Sequence, residues 1–509
     1  MTETRHWRVT RAWATARVAV LCVPFVLAAS VAVSGTASGD VGTGDVGTIV
    51  RWAPCPEDAT AECGTVSVRV DWAVPDGPRI DLALVRRPAT DSAARIGTLL
   101  DVPGGPGDSG VDPVLANTSQ FIVNLNRRFD IVGYDARGIG RSHPVLCSES
   151  LLAQEPPPVL TSQADFTARV AYNGRLRADC RAHTGPLFDH LDTESGVHDV
   201  EAIRVALGEQ TLTLRGRSYG TLLGEQYAEQ YPRRVRAMVL DSVTDHSVDT
   251  SANLDTQAAN LQDSFDEFVN WCLGAPDCVL RGRDVRALWA DLLARADRGE
   301  LRHPDDPDAE LTPFFLTDIA EQGFRGPFWP ELAQVLAALD ASPPASVPAP
   351  RQLRTDPYPA LAIFCADYDL PVRNYQEYAA DLRRSRALAP DMRYSTFAVY
   401  ATTACLGWPK PVNNPQHPLR VRNLATPLLL VNARHDPATG YTWAVHVARQ
   451  LGDEAVLLTY EGWGHVVYGR SDCIDGIVDR YLVERVLPAH GTSCPAEPAS
   501  IGTTESSEG

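Results

Sequence analysis

A serine in a tight, glycine-flanked turn is the residue of this chain most clearly placed to do chemistry. The pentapeptide Gly216-Arg217-Ser218-Tyr219-Gly220 follows an apolar run at 211–214 and precedes a helix-compatible stretch at 221–231. A sharp turn between a strand and a helix exposes the serine hydroxyl at the end of a sheet, and the glycines permit the bend. Free N–H groups at the start of the helix can stabilise negative charge. The spacing therefore predicts a nucleophile at Ser218.

A serine hydroxyl becomes a good nucleophile only when an oriented base removes its proton. The apolar run at 427–431 is followed by Asp436, and the next run, at 455–459, is followed by His465. Because neighbouring parallel strands end at the same edge of a sheet, both side chains are expected close to Ser218. The chain order serine, acid, histidine is one of the known orders of a catalytic triad.

The acid and the base each have rivals in the same sequence. Asp436 has a simpler interpretation as the turn residue that starts a helix over Tyr441–Leu451. The chain order favours the assignment above, but it leaves alternatives open. These are Asp241 for the acid, and His435 and His446 for the base.

A glycine-rich loop offers the remaining part of such a site. The apolar run at 97–102 leads into Pro-Gly-Gly-Pro-Gly-Asp-Ser-Gly, which begins at Pro103. Glycines let backbone N–H groups come close to a reacting carbonyl oxygen. We therefore expect an oxyanion hole built from the N–H groups of Gly104 or Gly105 and of Tyr219. Without the serine turn, the same loop would be an ordinary Gly/Pro turn.

The segments that must position these residues show an α/β pattern. Short apolar runs that end in glycine or aspartate are typical of strands buried on both faces of a parallel sheet. Helical patterns lie between them, for example at 198–207. The sequence predicts an α/β fold with a mostly parallel central sheet. The expected strands are 65–71, 80–86, 97–102, 129–134, 211–214, 235–240, 427–431 and 455–459.

Changes of pattern divide the chain into segments. After residue 240 the sequence is mostly helical, with proline-rich breaks such as 342–350, which predicts a helical cap inserted into the fold. The sheet pattern then returns, and a helix at 474–486 closes the fold. The expected segments are a signal peptide (1–37), a flexible leader (38–49), the core (50–244 and 421–495), the cap (245–420) and a disordered tail (496–509).

Charge and the N-terminus indicate an exported protein. A formal net charge of −18 over 509 residues makes nucleic acid and anionic membrane surfaces poor partners. Arginines precede an apolar stretch at 18–33 and a small-residue cleavage site at 35–37, as in a secretory signal peptide. The alternative is an uncleaved anchor, for which the stretch is shorter than the typical span of about 20 residues. We expect a secreted protein without stable membrane association after cleavage.

Ten cysteines lie beyond the expected signal peptide. An even number in an exported chain predicts disulfides, and none shows the Cys-x-x-Cys spacing of a metal or redox site. The sequence does not fix the connectivity, so pairing of nearest neighbours is a hypothesis. The pairs would be Cys55–Cys63, Cys147–Cys180, Cys272–Cys278, Cys365–Cys405 and Cys473–Cys494.

These motifs together resemble one known family. The loop after Pro103, residues 134–142 (Tyr-Asp-Ala-Arg-Gly-Ile-Gly-Arg-Ser) and the pentapeptide around Ser218 are similar to those of the secreted actinobacterial tripeptidyl aminopeptidases. These enzymes belong with the prolyl aminopeptidase-type serine peptidases. Residues 421–495 look like the family's TAP-like terminal domain, through the Asp436 loop, Gly464-His465 and the closing cysteines. The resemblance implies an α/β-hydrolase fold.

The resemblance also implies an activity. Ser218 would attack an acyl carbon, His465 would transfer the proton, and Asp436 would orient the imidazole. The product would be a short peptide, such as a tripeptide, released from a free N-terminus without a metal or cofactor. Carboxylates of the cap would bind the free amine, and the candidates are Glu331, Asp367 and Asp369. The simpler interpretation of each, which the sequence favours, is a solvated acid on the surface.

Some departures from the family concern substrate choice. Thr439-Gly440 stands where the family usually has Thr-Pro, Ala136 where it has Pro, and Val102 where Asn is common. No reacting group is lost, so hydrolysis is expected, but the substrate stays open. An esterase or lactonase acting on a non-peptide acyl substrate is the alternative on the same scaffold. A non-catalytic binding protein is a further alternative, which the intact serine–acid–histidine set disfavours.

Overall fold

The computed structural model describes residues 49–117, 120–304, 306–343 and 358–499. The expected signal peptide, nearly all of the leader and most of the tail lie outside these residues, as does most of the proline-rich segment 342–350. In the described ranges no helix is both long enough and apolar enough to cross a membrane.

A large, mostly parallel sheet forms the centre of the fold. Its strand order is β1-β2-β3-β5-β4-β6-β7-β10-β11-β12, with β4 to β7, β10, β11 and β12 parallel and the first three strands antiparallel. The strands are β1 (Ala53–Pro54), β2 (Glu62–Arg69), β3 (Arg79–Arg87), β4 (Gly97–Val102), β5 (Phe129–Tyr134), β6 (Leu212–Arg217), β7 (Val235–Asp241), β8 (Arg302–His303), β9 (Asp306–Glu310), β10 (Leu428–His435), β11 (Ala455–Trp463) and β12 (Ser493–Cys494). This arrangement confirms the expected α/β fold.

Both faces of the central strands are buried, which explains their continuous apolar runs. Successive side chains point to opposite faces of a strand. Accordingly Leu100 and Leu430 belong to an apolar cluster on one face, whereas their neighbours Leu99 and Leu429 belong to a cluster on the other face. The sheet is therefore packed between two layers of helices.

Helices flank the sheet, and a long helical insertion separates β7 from β10. The flanking helices are α1 (Val111–Ala116), α2 (Gln120–Leu125), α3 (Glu149–Leu152), α4 (Gln163–Thr184), α5 (Thr193–Ala206), α6 (Gly220–Gln230), α14 (Tyr441–Leu451) and α15 (Asp472–Glu484). The insertion carries α7 (Thr250–Gly274), α8 (Val285–Asp297), α9 (Pro313–Arg325), α10 (Trp329–Ala341), α11 (Tyr358–Asp367), α12 (Tyr375–Leu388) and α13 (Thr396–Ala404). It also contains the antiparallel hairpin β8–β9, which the sequence pattern did not indicate.

The insertion has an apolar core of its own, in which Phe265, Trp289, Phe324 and Trp329 are buried.

The protein also contains disulfides, as expected for an exported chain, and the cysteines pair in order along the chain. The bonds are Cys55–Cys63, Cys147–Cys180, Cys272–Cys278, Cys365–Cys405 and Cys473–Cys494.

The strand before the serine extends further than the apolar pattern predicts. The expected strand ended at residue 214, whereas β6 continues through Arg217. Arg215 is only 4% exposed and lies 3.5 Å from carboxylate oxygens of both Asp101 and Asp241. The buried arginine, held between two acids, ends the apolar run in the sequence although the strand continues. The strand predicted from the apolar run is therefore too short.

Candidate active site

Ser218 occupies a strained turn between β6 and α6. Its φ is +54°, a left-handed conformation that non-glycine residues rarely adopt. The glycines on either side have no room for a side chain, because a Cβ on Gly216 would press on the carbonyl of Gly220, and one on Gly220 would overlap that of Pro103. Strain held by the surroundings in this way is typical of functional turns.

The structure brings Ser218, His465 and Asp436 into one hydrogen-bonded line. The Nε2 atom of His465 lies 2.7 Å from the Oγ of Ser218. The Nδ1 atom of the same ring lies 3.0 Å and 3.1 Å from the two carboxylate oxygens of Asp436. The three residues follow β6, β11 and β10, whose carboxyl ends meet at one edge of the sheet. Such a line can transfer a proton from a hydroxyl to an imidazole.

Asp436 is a buried carboxylate with several donors. The backbone N–H groups of Ala438 and Thr439 donate to its Oδ1 at 2.8 Å and 2.9 Å, and the hydroxyls of Ser242 and Thr439 donate to its Oδ2 at 2.8 Å and 3.1 Å. Burial acts to raise the pKa of Asp436, but the charge and hydrogen bond of His465 and the backbone donors outweigh it and lower the pKa below its ordinary value. The carboxylate is therefore ionised and able to stabilise an imidazolium.

The rival residues have other partners. Asp241 accepts the backbone N–H groups of Val467 at 2.9 Å and Tyr468 at 3.1 Å, so it holds the loop that follows the histidine. His435 is bonded to Asp263 at 2.8 Å, and His446 to Asp245 at 2.5 Å. Each of these two imidazole rings is thus hydrogen-bonded to an acid of its own, and His465 is the histidine that contacts the Oγ of Ser218.

The glycine loop after β4 packs against the serine turn. A Cβ on Gly104 would lie 2.9 Å from the Cβ of Ser218, and Gly105 has a φ of +99°. Asp135 anchors the far end of this loop, because it accepts the hydroxyl of Ser109 at 2.6 Å and the backbone N–H of Val111 at 3.2 Å. The loop backbone thus lies beside the side chain of Ser218, and Tyr219 is the residue directly before α6.

The helical insertion holds the loop of the histidine, residues 464–470, which we call the histidine loop. The backbone N–H of His465 donates to the carbonyl of Arg325 at 2.8 Å. Arg470 donates to the carbonyls of Arg325, Gly326 and His465, at 3.0 Å in each case, and to Val466 at 2.7 Å. The position of the imidazole therefore depends on the α9–α10 junction of the insertion.

Two residues that build this site were not found from the sequence. Ser242 bridges the site, because its hydroxyl donates to Asp436 and accepts the backbone N–H of Val466 at 2.8 Å. Arg470 is the other. In the sequence, Ser242 is recognisable only as a serine just after β7, and Arg470 only as an arginine five residues after the histidine. Neither pattern is specific. Their role depends on long-range contacts that a local pattern does not contain.

The three candidate amine-binding acids differ in their surroundings. Asp367 is fully buried, and it accepts hydrogen bonds from the backbone N–H and hydroxyl of Thr193 and from the hydroxyl of Tyr219. Asp369 is paired with Lys410. Glu331 keeps a buried carboxylate oxygen, Oε2, with no hydrogen-bond partner in the described part of the protein. In the same ranges, no three His, Cys, Asp or Glu side chains are grouped as a metal ion would require.

Comparison with known proteins places the chain among related hydrolases. The TAP-like protein family matches residues 390–494. Serine protease Hip1 of Mycobacterium tuberculosis is 31% identical over 490 residues, covering 88% of this chain and 91% of that protein. Tripeptidyl aminopeptidase of Streptomyces lividans is 30% identical over 474 residues, covering 87% and 86%. Carboxylesterase B of M. tuberculosis is 32% identical over 464 residues, covering 87% and 88%.

These relatives span nearly the whole chain, including the segments that hold the serine, the acid and the histidine. Their identity and coverage agree with the α/β fold and with the resemblance of the sequence motifs. The chain is a serine hydrolase, and it belongs to the family of TAP-like α/β hydrolases that includes the actinobacterial tripeptidyl aminopeptidases.

Proposed function

We propose that this serine hydrolase is an exported aminopeptidase that releases short peptides, such as tripeptides, from free N-termini. The observation that carries the hydrolytic part of the proposal is the line from Ser218 through His465 to Asp436, with distances of 2.7 Å and 3.0 Å. The names of the relatives, a serine protease and a tripeptidyl aminopeptidase, support a peptide substrate.

In the proposed mechanism, His465 accepts the proton of Ser218 as the Oγ attacks the acyl carbon, and later donates it to the leaving amine. Asp436 holds the ring with its Nδ1 protonated and stabilises the imidazolium. The N–H groups of Tyr219 and of Gly104 or Gly105 stabilise the oxyanion. Water then attacks the acyl-enzyme, with the same histidine as base. Apart from the water, each of these steps uses groups of this chain and of the substrate.

We further propose that residues 245–420 act as a cap over this site. Three contacts support the proposal: Ala360 packs on Gly107 of the glycine loop, Asn260 on Gly440 and Pro327 on Gly464. Of the three acids considered above, Asp367 is fully hydrogen-bonded and Asp369 is paired with Lys410, so the oxygen of Glu331 without a hydrogen-bond partner in the described ranges makes Glu331 our candidate for binding the free amine.

The disulfides support export, because such bonds persist in oxidising compartments. We propose cleavage of a signal peptide at about residue 37, after the small-residue site described above. N-terminal sequencing of the protein from culture medium tests this, and an N-terminus at Met1 would contradict it.

The second candidate function is an esterase, which the likeness to a carboxylesterase favours. To separate the two, steady-state hydrolysis of Ala-Pro-Ala-p-nitroanilide is compared with that of its N-acetylated form and of p-nitrophenyl butyrate. The aminopeptidase proposal expects turnover of the free-amine anilide, little turnover of the acetylated form, and loss of activity in Ser218→Ala. Turnover of the ester without either anilide would favour the esterase.

A further inference from the structure

One face of α7 carries a row of polar side chains, which we call the polar stripe. It consists of Thr250, Asn253, Gln257, Asn260 and Ser264. The spacings alternate between three and four residues, and a helix turns once in about 3.6 residues, so the five side chains project from the same face.

Each residue of the polar stripe has a buried polar atom without a hydrogen-bond partner in the described ranges, and four of the five side chains are buried as a whole, Asn260 being half-buried. Thr250, Asn253, Gln257 and Ser264 are 7%, 6%, 4% and 2% exposed. The atoms Thr250 Oγ1, Asn253 Oδ1, Gln257 Oε1, Asn260 Nδ2 and Ser264 Oγ all lack a partner within the described ranges. A buried polar group without a partner destabilises the folded state, and folded proteins keep such groups rare. Five on one helix face are not explained by folding alone.

Another carboxamide on the same helix, that of Gln262, provides a comparison, because all of its hydrogen-bonding groups have partners. Gln262 lies outside the polar stripe and is fully bonded: its Nε2 donates to Asp266 at 2.9 Å and to Asp391 at 2.8 Å. Its Oε1 accepts the backbone N–H of Asp391 at 3.0 Å. Of the six buried side-chain atoms of α7 without a hydrogen-bond partner in the described ranges, five belong to the polar stripe. The sixth is the Oδ1 of Asp255, whose other carboxylate oxygen accepts a hydrogen bond from Arg384 at 3.2 Å.

Helix α7 runs past the candidate active site. Shortly before it begins, the hydroxyl of Thr244 donates to the carbonyl of Ser218 at 3.3 Å. Further along, Asn260 packs so closely on Gly440 that a Cβ there would overlap its carboxamide. In the next turns, Asp263 bonds His435 and Glu267 bonds the indole of Trp463, both at 2.8 Å. The second half of the helix thus lies against the ends of β10 and β11, next to the loop that carries Asp436.

We propose that the polar stripe binds the main chain of the peptide substrate, an inference that rests on the proposed peptidase function. Carboxamides both donate and accept hydrogen bonds, as the N–H and C=O groups of a peptide require. From Asn253 to Asn260 the helix rises by about 10 Å. Three extended peptide residues cover about 10 Å as well. The stripe therefore suits a short extended segment, with Asn260 at the end that contacts Gly440, in the loop that carries Asp436.

The test uses two variants of the stripe, Gln257→Met and Asn253→Leu, which keep the approximate volume and remove the hydrogen-bonding groups. Gln262→Met is the matched control on the same helix. For each protein, kcat/KM is measured with Ala-p-nitroanilide, Ala-Ala-Ala-p-nitroanilide and p-nitrophenyl butyrate, and Tm is recorded.

The inference expects each stripe variant to lower kcat/KM for the tripeptide anilide about 3- to 10-fold, as for the loss of one hydrogen bond. The ester should be unaffected, the advantage of the tripeptide over the single residue should shrink, and Tm should not fall. Gln262→Met should lower Tm and leave the ratio of tripeptide to ester unchanged.

Two results would overturn the inference. If wild type cleaves the tripeptide and both stripe variants keep its kcat/KM, or lose peptide and ester activity equally, the stripe does not bind the substrate and the peptidase proposal still stands. If wild type hydrolyses the ester and no peptide, the proposed function fails and the inference fails with it.

Discussion

At the residue scale, two aspartates at the ends of neighbouring strands differ in the groups from which they accept hydrogen bonds. Asp436 accepts hydrogen bonds from His465, whereas Asp241 accepts backbone N–H groups from Val467 and Tyr468. The sequence places both acids after strands, and so it left both open as partners of the histidine. Only the path of the histidine loop between the strand ends separates them, and local sequence does not determine that path.

Asp436→Asn should lower kcat by about 10³- to 10⁴-fold, because an amide does not hold the imidazole in the tautomer that accepts the serine proton. Asp241→Asn is the comparison, with an expected loss of about 10-fold, as for one weakened hydrogen bond. Steady-state kinetics and a thermal melt of both variants provide the check. A larger loss of kcat in Asp241→Asn, with its Tm preserved, would reverse the two roles.

Loops between regular elements form most of the site at the element scale. The strands β4 and β5 and the helix α14 have the bounds expected from their apolar patterns. The hairpin β8–β9 has no such pattern, since its strand Asp306–Glu310 reads Asp-Pro-Asp-Ala-Glu. Patterns therefore predict elements that are buried on a regular face, and they miss a short polar hairpin whose two strands pair with each other.

The glycine loop provides a prediction at this scale. Gly104→Ala should lower kcat by about 10²-fold or more, the size expected when an oxyanion donor is displaced. The new methyl group would lie 2.9 Å from the Cβ of Ser218, and must push the loop or the serine away. Kinetics with p-nitrophenyl butyrate provide the measurement, which does not depend on peptide binding.

Gly174→Ala is the matched control, because a Cβ at this position in α4 meets nothing within 4 Å. It should keep kcat and raise the stability, by up to about 1 kcal/mol, since alanine favours a helix over glycine. Normal kcat in Gly104→Ala would show that the loop is not part of the oxyanion hole.

At the scale of the whole molecule, a buried carboxyl joins the insertion to the core. Asp367, at the end of α11, accepts hydrogen bonds from Thr193 and Tyr219 of the core and from Asn414. Burial raises the pKa of Asp367 to about 7, with a further contribution from Asp192, although the hydrogen bonds act in the opposite direction. The protonated form is thus favoured in the folded protein.

The stability of the fold should therefore depend on pH through this group. A raised pKa contributes stability that is complete below about pH 4, the unfolded value, and is lost as the pH rises through about 7. Asp367→Asn does not titrate at this position. The free energy of unfolding of wild type relative to this variant should decline from pH 5 to pH 8, by on the order of 1 kcal/mol per pH unit at most. Denaturant unfolding at several pH values measures it, and a difference that rises with pH would contradict the raised pKa.

The bond between the backbone N–H of His465 and the carbonyl of Arg325 has a consequence for engineering. In a chimera that receives the insertion of another protein, the carbonyl that holds the backbone of His465 would also come from that protein. The junction at 325–327 and Arg470 would have to be exchanged together, as one unit on two separate stretches of chain. In this family, new specificity and retained turnover would then be inherited as linked traits.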